Sequence, residues 1–279
     1  MIVVTGATGQ LGRLVVEGLR KQGATVVAGA RNPAAAADLG VEVRELDYDR
    51  PETVDAALTG ADQVLLISGS EPGKRVPQHT AVVDAAKRAG VRQLVYTSAL
   101  HADTTPLVLA PEHKATEEAI VASGLPYTFL RNGWYHENYL DKIAEGAESG
   151  EIVGAAGDGR VASAARKDFA DAAVAVLTGS GHENKAYELT GDSAWTFAEF
   201  ADEIGKVAGK SVTYRSLPPA EFQQLLVEQG TPAEVAGFVA ALEQNIADGT
   251  LADTPGHLRS LIGRPTTPVV DTIRAVLSA

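Results

Sequence analysis

Cysteine is absent from the 279-residue chain, which excludes disulfides, a thiolate nucleophile and any zinc site built on thiolates. Positive charge is short: Lys and Arg number 24 against 36 Asp and Glu, a formal charge of −12. That field repels nucleic-acid backbones and anionic membrane surfaces, while a basic pocket for one small anion stays compatible with it. No apolar run is long enough to span a bilayer. The N-terminal stretch lacks the run of a signal peptide, because a polar, glycine-rich turn begins at Thr5. These absences predict a cytoplasmic protein that binds neither nucleic acid nor membrane. His79, His101, His136, His182 and His257 show no metal-ligand spacing, so no metal is predicted. Internal repeats and low-complexity linkers are missing too.

What is present is ordinary globular material, 45% hydrophobic and 22% charged. The length suits one large α/β domain, alone or with a small appendage. Strand-like runs fall at residues 2–5, 25–30, 41–46, 63–67, 93–98 and 127–130, with amphipathic or capped helical stretches between them. Asp49, with Glu52 three residues on, reads as the cap of one such helix. Strands alternating with helices over short connections predict a doubly wound parallel sheet with right-handed crossovers. After about residue 150 the rhythm loosens. Residues 154–165 read as a loop of small residues, and helices are predicted over 167–177 and 196–208, the latter opened by the Thr196 and Glu199 capping pair. Short strands are predicted at 186–189 and 212–215, and the prolines at 218–219, 232 and 268 signal helix starts. The prediction is a dinucleotide-binding domain over 1–150, which later segments can rejoin, and a smaller, mostly helical substrate-side lobe over 151–279.

Thr5-Gly6-Ala7-Thr8-Gly9-Gln10-Leu11-Gly12 lies between the first strand and the first helix, where a dinucleotide fingerprint belongs. Gly6 permits the tight turn, Gly9 lets the backbone approach a pyrophosphate, and Gly12 allows close helix–strand packing. The helix N-terminus adds free amides and positive dipole. This context points to a Rossmann domain. At the end of the second strand an acidic residue would hold the ribose of NAD; the sequence has Arg31 there, whose donors suit a 2′-phosphate. NADPH is therefore the predicted cofactor. Asp47, Ser68, Gly69, Thr97 and Ser98 follow later strands and should line the same crevice, Asp47 near the adenine and Thr97 and Ser98 near the nicotinamide.

One expected feature is missing. None of the seven tyrosines is followed four residues later by lysine. Without that acid–base pair the chain reads poorly as an epimerase, dehydratase or carbonyl reductase. Two readings survive: a non-catalytic NADP(H) sensor acting through a protein partner, or a reductase whose acceptor needs little proton catalysis. A quinone fits the second, because hydride addition yields a stabilised aryloxide of phenol-like basicity, pKa roughly 10. An imine or nitro group is a further acceptor open to the same scaffold. Lys114 reads as part of a solvated helix face with Glu117 and Glu118.

The segments 97–103 (TSALHAD), 130–135 (LRNGWY) with Glu137, Asn138 and Tyr139, 154–159 (GAAGDG), 187–195 (YELTGDSAW) and 261–267 (LIGRPTT) resemble those of the bacterial type 2 NAD(P)H:quinone oxidoreductases, NmrA-like atypical short-chain dehydrogenases. The likeness covers nearly the whole chain. It implies an NADPH-binding Rossmann domain, a smaller lobe and a planar quinone between them, with no flavin; monomer and homodimer stay open. It further implies that Gly6, Thr8, Gly9, Gln10 and Leu11 cradle phosphates and that Arg31 takes the 2′-phosphate. Ser68, Gly69 and Arg75 would flank the nucleotide. Asn132 and Tyr135 are the implied catalytic residues, with Trp134 and Tyr135 lining the acceptor. Residues 164–168 are placed to close over the cleft.

Overall fold

A computed structural model describes residues 1–278. The first half runs β1 (Ile2–Val4), α1 (Gln10–Lys21), β2 (Val26–Ala30), β3 (Glu42–Glu45), α2 (Pro51–Leu58) and β4 (Gln63–Leu66). It continues with α3 (Arg75–Arg88), β5 (Gln93–Ala99), α4 (Ala110–Ser123), β6 (Tyr127–Asn132) and β7 (Trp134–Tyr135). Then follow α5 (Leu140–Ser149), β8 (Glu151–Gly154), β9 (Arg160–Val161), β10 (Ser163–Ala164), α6 (Arg166–Thr178) and β11 (Lys185–Leu189). The chain closes with β12 (Trp195–Thr196), α7 (Phe197–Ala208), β13 (Thr213–Ser216), α8 (Pro219–Glu228), α9 (Ala233–Ala247), α10 (His257–Ile262) and α11 (Val269–Leu277).

Seven strands form one parallel sheet in the order β11-β6-β5-β4-β1-β2-β3. Its central strands are buried along their whole length, which is why they read as continuous rather than alternating apolar runs. Residues of α1, α6 and α10 pack on one face of the sheet, and residues of α2, α3 and α4 on the other. The strand order reverses between β1 and β4, so a crevice opens beyond their carboxyl ends.

Beyond residue 150 the chain returns to this body: α6 packs on the sheet and β11 becomes its seventh strand. Conversely, Ile143 of α5 packs in a second core with Tyr139, Ile152, Trp195, Phe197, Phe200 and Ile204. The smaller lobe is thus built from excursions between strands of the main sheet as well as from the C-terminal helices. No helix among the described residues is long and apolar enough to cross a membrane.

Local starts and stops differ from expectation in two places. Arg50, not Asp49, is the cap residue of α2, which begins at Pro51 with no side-chain cap bond. Asp49 instead turns back: its backbone N–H donates to Asp47 and its carboxylate accepts from Gln78. The small-residue segment 154–165 is also more ordered than a loop, because β9 pairs with β12 and β10 with β7. The capping box of Thr196 and Glu199 forms as predicted.

Candidate active site

The crevice is one groove with two chambers that share the glycine loop and residues 67–70. The loop bends at Gly6, whose φ of +58° is in the left-handed region. A Cβ on Gly12 would lie 2.3 Å from the Gly6 carbonyl oxygen, so only glycine lets α1 start this close to the turn. Gly9 differs. Its backbone is extended, and a Cβ there would meet only the Gly6 oxygen, at 3.3 Å, before entering the groove. No side chain caps α1, so the amides of Gln10, Leu11 and Gly12 lack intrahelical partners at the groove wall. An oxyanion is the natural occupant of such a helix end.

The smaller chamber, about 230 Å³, is lined by Thr8, Arg31, Asp47, Tyr48, Asp49, Ser68, Gly69 and Gln78 among others. Arg31 stands just past β2 with its side chain 73% exposed and only Glu71 nearby, at 3.7 Å. The donors of its guanidinium that Glu71 does not face are open to a phosphate. Tyr48 is half-buried beneath the loop, its hydroxyl 2.5 Å from Thr5 Oγ1 and donating to the Ile67 carbonyl at 2.9 Å. Thr5 Oγ1 in turn accepts from Ile67 N–H. These bonds lock the ends of β1 and β4 and the turn after β3 into one floor. Sequence reasoning missed Tyr48, because its partners lie far along the chain.

Residues 68–70 are held from below by groups that no sequence motif marks. Gly69 N–H donates to His79 Nε2 at 2.9 Å. That leaves the His79 proton on Nδ1, facing Thr116 Oγ1 at 2.9 Å, and Thr116 donates onward to the Glu112 carbonyl. Burial supports the neutral ring by pushing its pKa down to about 3. Arg75, expected to flank the nucleotide, lines the larger chamber and is held there by its Nε–H on the Gly69 carbonyl and one terminal N–H on Glu112. Thr97 Oγ1 accepts from Ser68 N–H.

The larger chamber, about 520 Å³, brings Thr97, Ser98, His113, Asn132, Trp134, Tyr135 and Arg166 to the same glycine loop. Trp134 leans on the second core and Tyr135 on the first, so the segment after β6 both joins the lobes and walls the groove. Asn132 Nδ2 donates to the Tyr135 hydroxyl at 3.1 Å. Burial raises the Tyr135 pKa, keeping the phenol protonated. Two buried polar atoms on this wall lack a protein partner, Ser98 Oγ and Asn132 Oδ1, whereas Trp134 Nε1 is turned to the Tyr139 hydroxyl of the second core. Orphaned polar atoms beside a cavity call for a polar ligand, and a nicotinamide carboxamide with its ribose supplies matching donors and acceptors. With the open amides and Arg31, these residues fit a phosphorylated dinucleotide along the groove.

His113 carries no signal in the sequence beyond its place beside Lys114. Its Nδ1 lies 2.8 Å from the Tyr96 hydroxyl, leaving Nε2 as the nitrogen without a partner, and burial pushes its pKa down to about 4. Lys114 is exposed and off the groove. No three His, Asp or Glu side chains among the described residues converge as a metal site requires.

Residues 6–180 match the NAD(P)H-binding family. Over 278 residues the chain is 48% identical to quinone oxidoreductase 2 of Escherichia coli strain K12, covering 98% of this chain and 97% of that one. The crystal structure of an Escherichia coli NADPH-dependent quinone oxidoreductase complexed with NADPH matches with a TM-score of 0.96, at 48% identity over 99% of this chain and all of that one. Triphenylmethane reductase of Citrobacter sp., complexed with NADP(H), matches at 0.95 and 40% identity, over 99% of this chain and 100% of its own. With its glycine loop, its sheet order and this likeness over nearly its full length, the chain belongs to the NAD(P)H-binding family and, within it, to the type 2 quinone oxidoreductases.

Proposed function

We propose that the protein is an NADPH-dependent quinone reductase that works by direct two-electron hydride transfer, without flavin. The single observation that carries this reading is the continuous groove. Phosphate-seeking amides and Arg31 lie toward one end, and a flat-walled chamber with orphaned polar atoms lies at the other. The bound cofactor supplies hydride from nicotinamide C4. The protein supplies position, which accounts for most of the rate in such a transfer.

Gly6, Thr8, Gly9, Gln10, Leu11 and Gly12 hold the phosphates, Arg31 the 2′-phosphate, and Asp47 the adenine. Ser68, Gly69 and Arg75 shape the nucleotide wall, with Thr97 and Ser98 at the nicotinamide. Trp134 presents an aromatic face to a planar acceptor, while Tyr135, its ring covered by Arg166 and Phe169, lines the chamber with its hydroxyl edge. Tyr135, oriented by Asn132, offers its phenolic proton as a hydrogen bond to the acceptor oxygen. The relatives named for a quinone and for triphenylmethane point to acceptors with delocalised aromatic systems, which suits these walls. The reaction belongs in the cytoplasm, on small quinones, and involves neither nucleic acid nor membrane.

The test is cofactor oxidation with benzoquinone and a naphthoquinone, run with NADPH and with NADH against enzyme-free blanks. Enzyme-dependent turnover, faster with NADPH, is the expected result. Tight NADP(H) binding without turnover on any quinone would leave a sensor and refute the reductase.

A further inference from the structure

Arg166 is the first residue of α6. Ala164 pairs with Tyr135 across β10 and β7, and two residues later the Arg166 guanidinium lies over the Tyr135 ring, 4.9 Å from its centre. Phe169, one turn on, packs edge-to-face on the same ring. The ring is therefore fixed, and it fixes the guanidinium.

Three arginines line the groove: Arg31, Arg75 and Arg166. Arg31 has Glu71 within 3.7 Å, and Arg75 is bonded to Gly69 and Glu112. The Arg166 guanidinium has no carboxylate or carbonyl partner among the described residues. Glu137 accepts only from its backbone N–H. A cation–π contact uses the charge of the guanidinium and leaves its N–H donors without a hydrogen-bond acceptor. A half-buried, unpaired cation is costly unless a ligand brings the opposite charge.

Resting on the quinone-reductase reading, we propose that Arg166 is a catalytic residue that stabilises the negative charge formed on the acceptor. The balance of the reaction requires such a group. Two electrons and one hydrogen pass from nicotinamide C4 to one quinone oxygen; the C4–H bond breaks as an O–H bond forms. The products are NADP+ and the hydroquinone monoanion, whose charge sits on the other oxygen until a proton from water neutralises it. Tyr135, held protonated, gives a hydrogen bond but no charge. A fixed guanidinium offsets the charge without transferring a proton, and its position costs nothing at the moment of reaction.

The test uses 4-nitrophenol as a non-reducible stand-in for the product, titrated on the NADP+-bound protein and followed by its visible absorbance. Competition against benzoquinone locates it in the acceptor chamber. On the wild-type protein the bound phenol should ionise at least about one pH unit below its value in water, a tenfold or greater preference for the anion. Arg166→Gln should remove that shift and lower kcat, while leaving the Kd for NADPH within about twofold. Arg166→Lys should restore part of both. Thermal unfolding of each variant separates loss of fold from loss of charge. Failure of the probe to bind, or ionisation as in water, overturns the proposal. So does a shift that survives Arg166→Gln, or a tenfold loss of NADPH affinity in its place, which would assign Arg166 to the cofactor's phosphates. Absence of quinone turnover by the wild-type protein would instead refute the reading beneath.

Discussion

Among single residues, the site separates groups that touch ligands from groups that hold them. Arg31 is exposed and poised against one carboxylate, Glu71. Arg31→Ala should weaken NADPH by roughly 1.5–3 kcal/mol, about ten- to a hundredfold, and spare NADH. Equal loss of both cofactors in steady-state kinetics would remove the 2′-phosphate assignment. Glu71 competes for the same guanidinium, so Glu71→Gln should tighten NADPH slightly, by less than about 1 kcal/mol for so exposed a pair. The glycines divide in the same way. Gly9→Val should abolish NADPH binding by calorimetry with little change in Tm, because its side chain would enter the groove rather than the fold; retained affinity would show that the phosphates lie elsewhere. Gly9 and Arg31 were legible in the sequence because their signals are local, a turn and a strand end. Tyr48 and His79 were not, since their partners Thr5 and Thr116 lie 43 and 37 residues away.

Among the elements, α6 is the piece on which the acceptor side depends. Asp168, fully buried in its first turn, accepts from Arg264 at 2.7 Å, from the Thr267 N–H at 2.7 Å and from the Thr267 hydroxyl. The Arg264–Thr267 segment therefore pins the helix that carries Arg166. Asp168→Ala should cost about 2 kcal/mol or more by denaturant unfolding, from lost charge-assisted bonds and an orphaned amide. It should also lower quinone turnover more than NADPH affinity. An unchanged midpoint would mean the clamp is redundant. The Tyr187–Trp195 motif braces the site in a comparable way. Glu188 joins Arg131, Glu117 and Asp103 in an ion network beneath Asn132, and Trp195 Nε1 donates to Ser163. The periodicities that place strands and helices were legible because each element's burial is written in its own residues. The two short strands in 154–165 were not, since their pairing depends on β7 and β12, far off in sequence.

For the molecule as a whole, buried neutral histidines set the response to acid. Burial lowers His79 to about 3 and His113 to about 4, and lowers His136 as well. In the unfolded chain these rings titrate near pH 6.5. Above that value both states are neutral and stability is unaffected. Below it the unfolded chain takes up protons that the folded protein refuses, so stability falls, by up to about 1.4 kcal/mol per pH unit for each ring, until the folded values are reached. Urea midpoints should therefore drop steadily from neutral pH to about pH 4.5, and His79→Gln should flatten the slope. A flat profile would mean the rings are solvated.

Everything proposed for the groove depends on hydride passing directly from NADPH to a quinone, with no flavin between them. The decisive experiment is single-turnover oxidation of NADPH by benzoquinone on flavin-free protein. It compares C4-deuterated with ordinary cofactor and counts NADPH consumed per hydroquinone formed. Direct transfer gives a primary isotope effect on the transferred deuterium and one NADPH per quinone, with no oxygen uptake. A requirement for added flavin, or excess NADPH consumption driven by one-electron cycling, would rule it out.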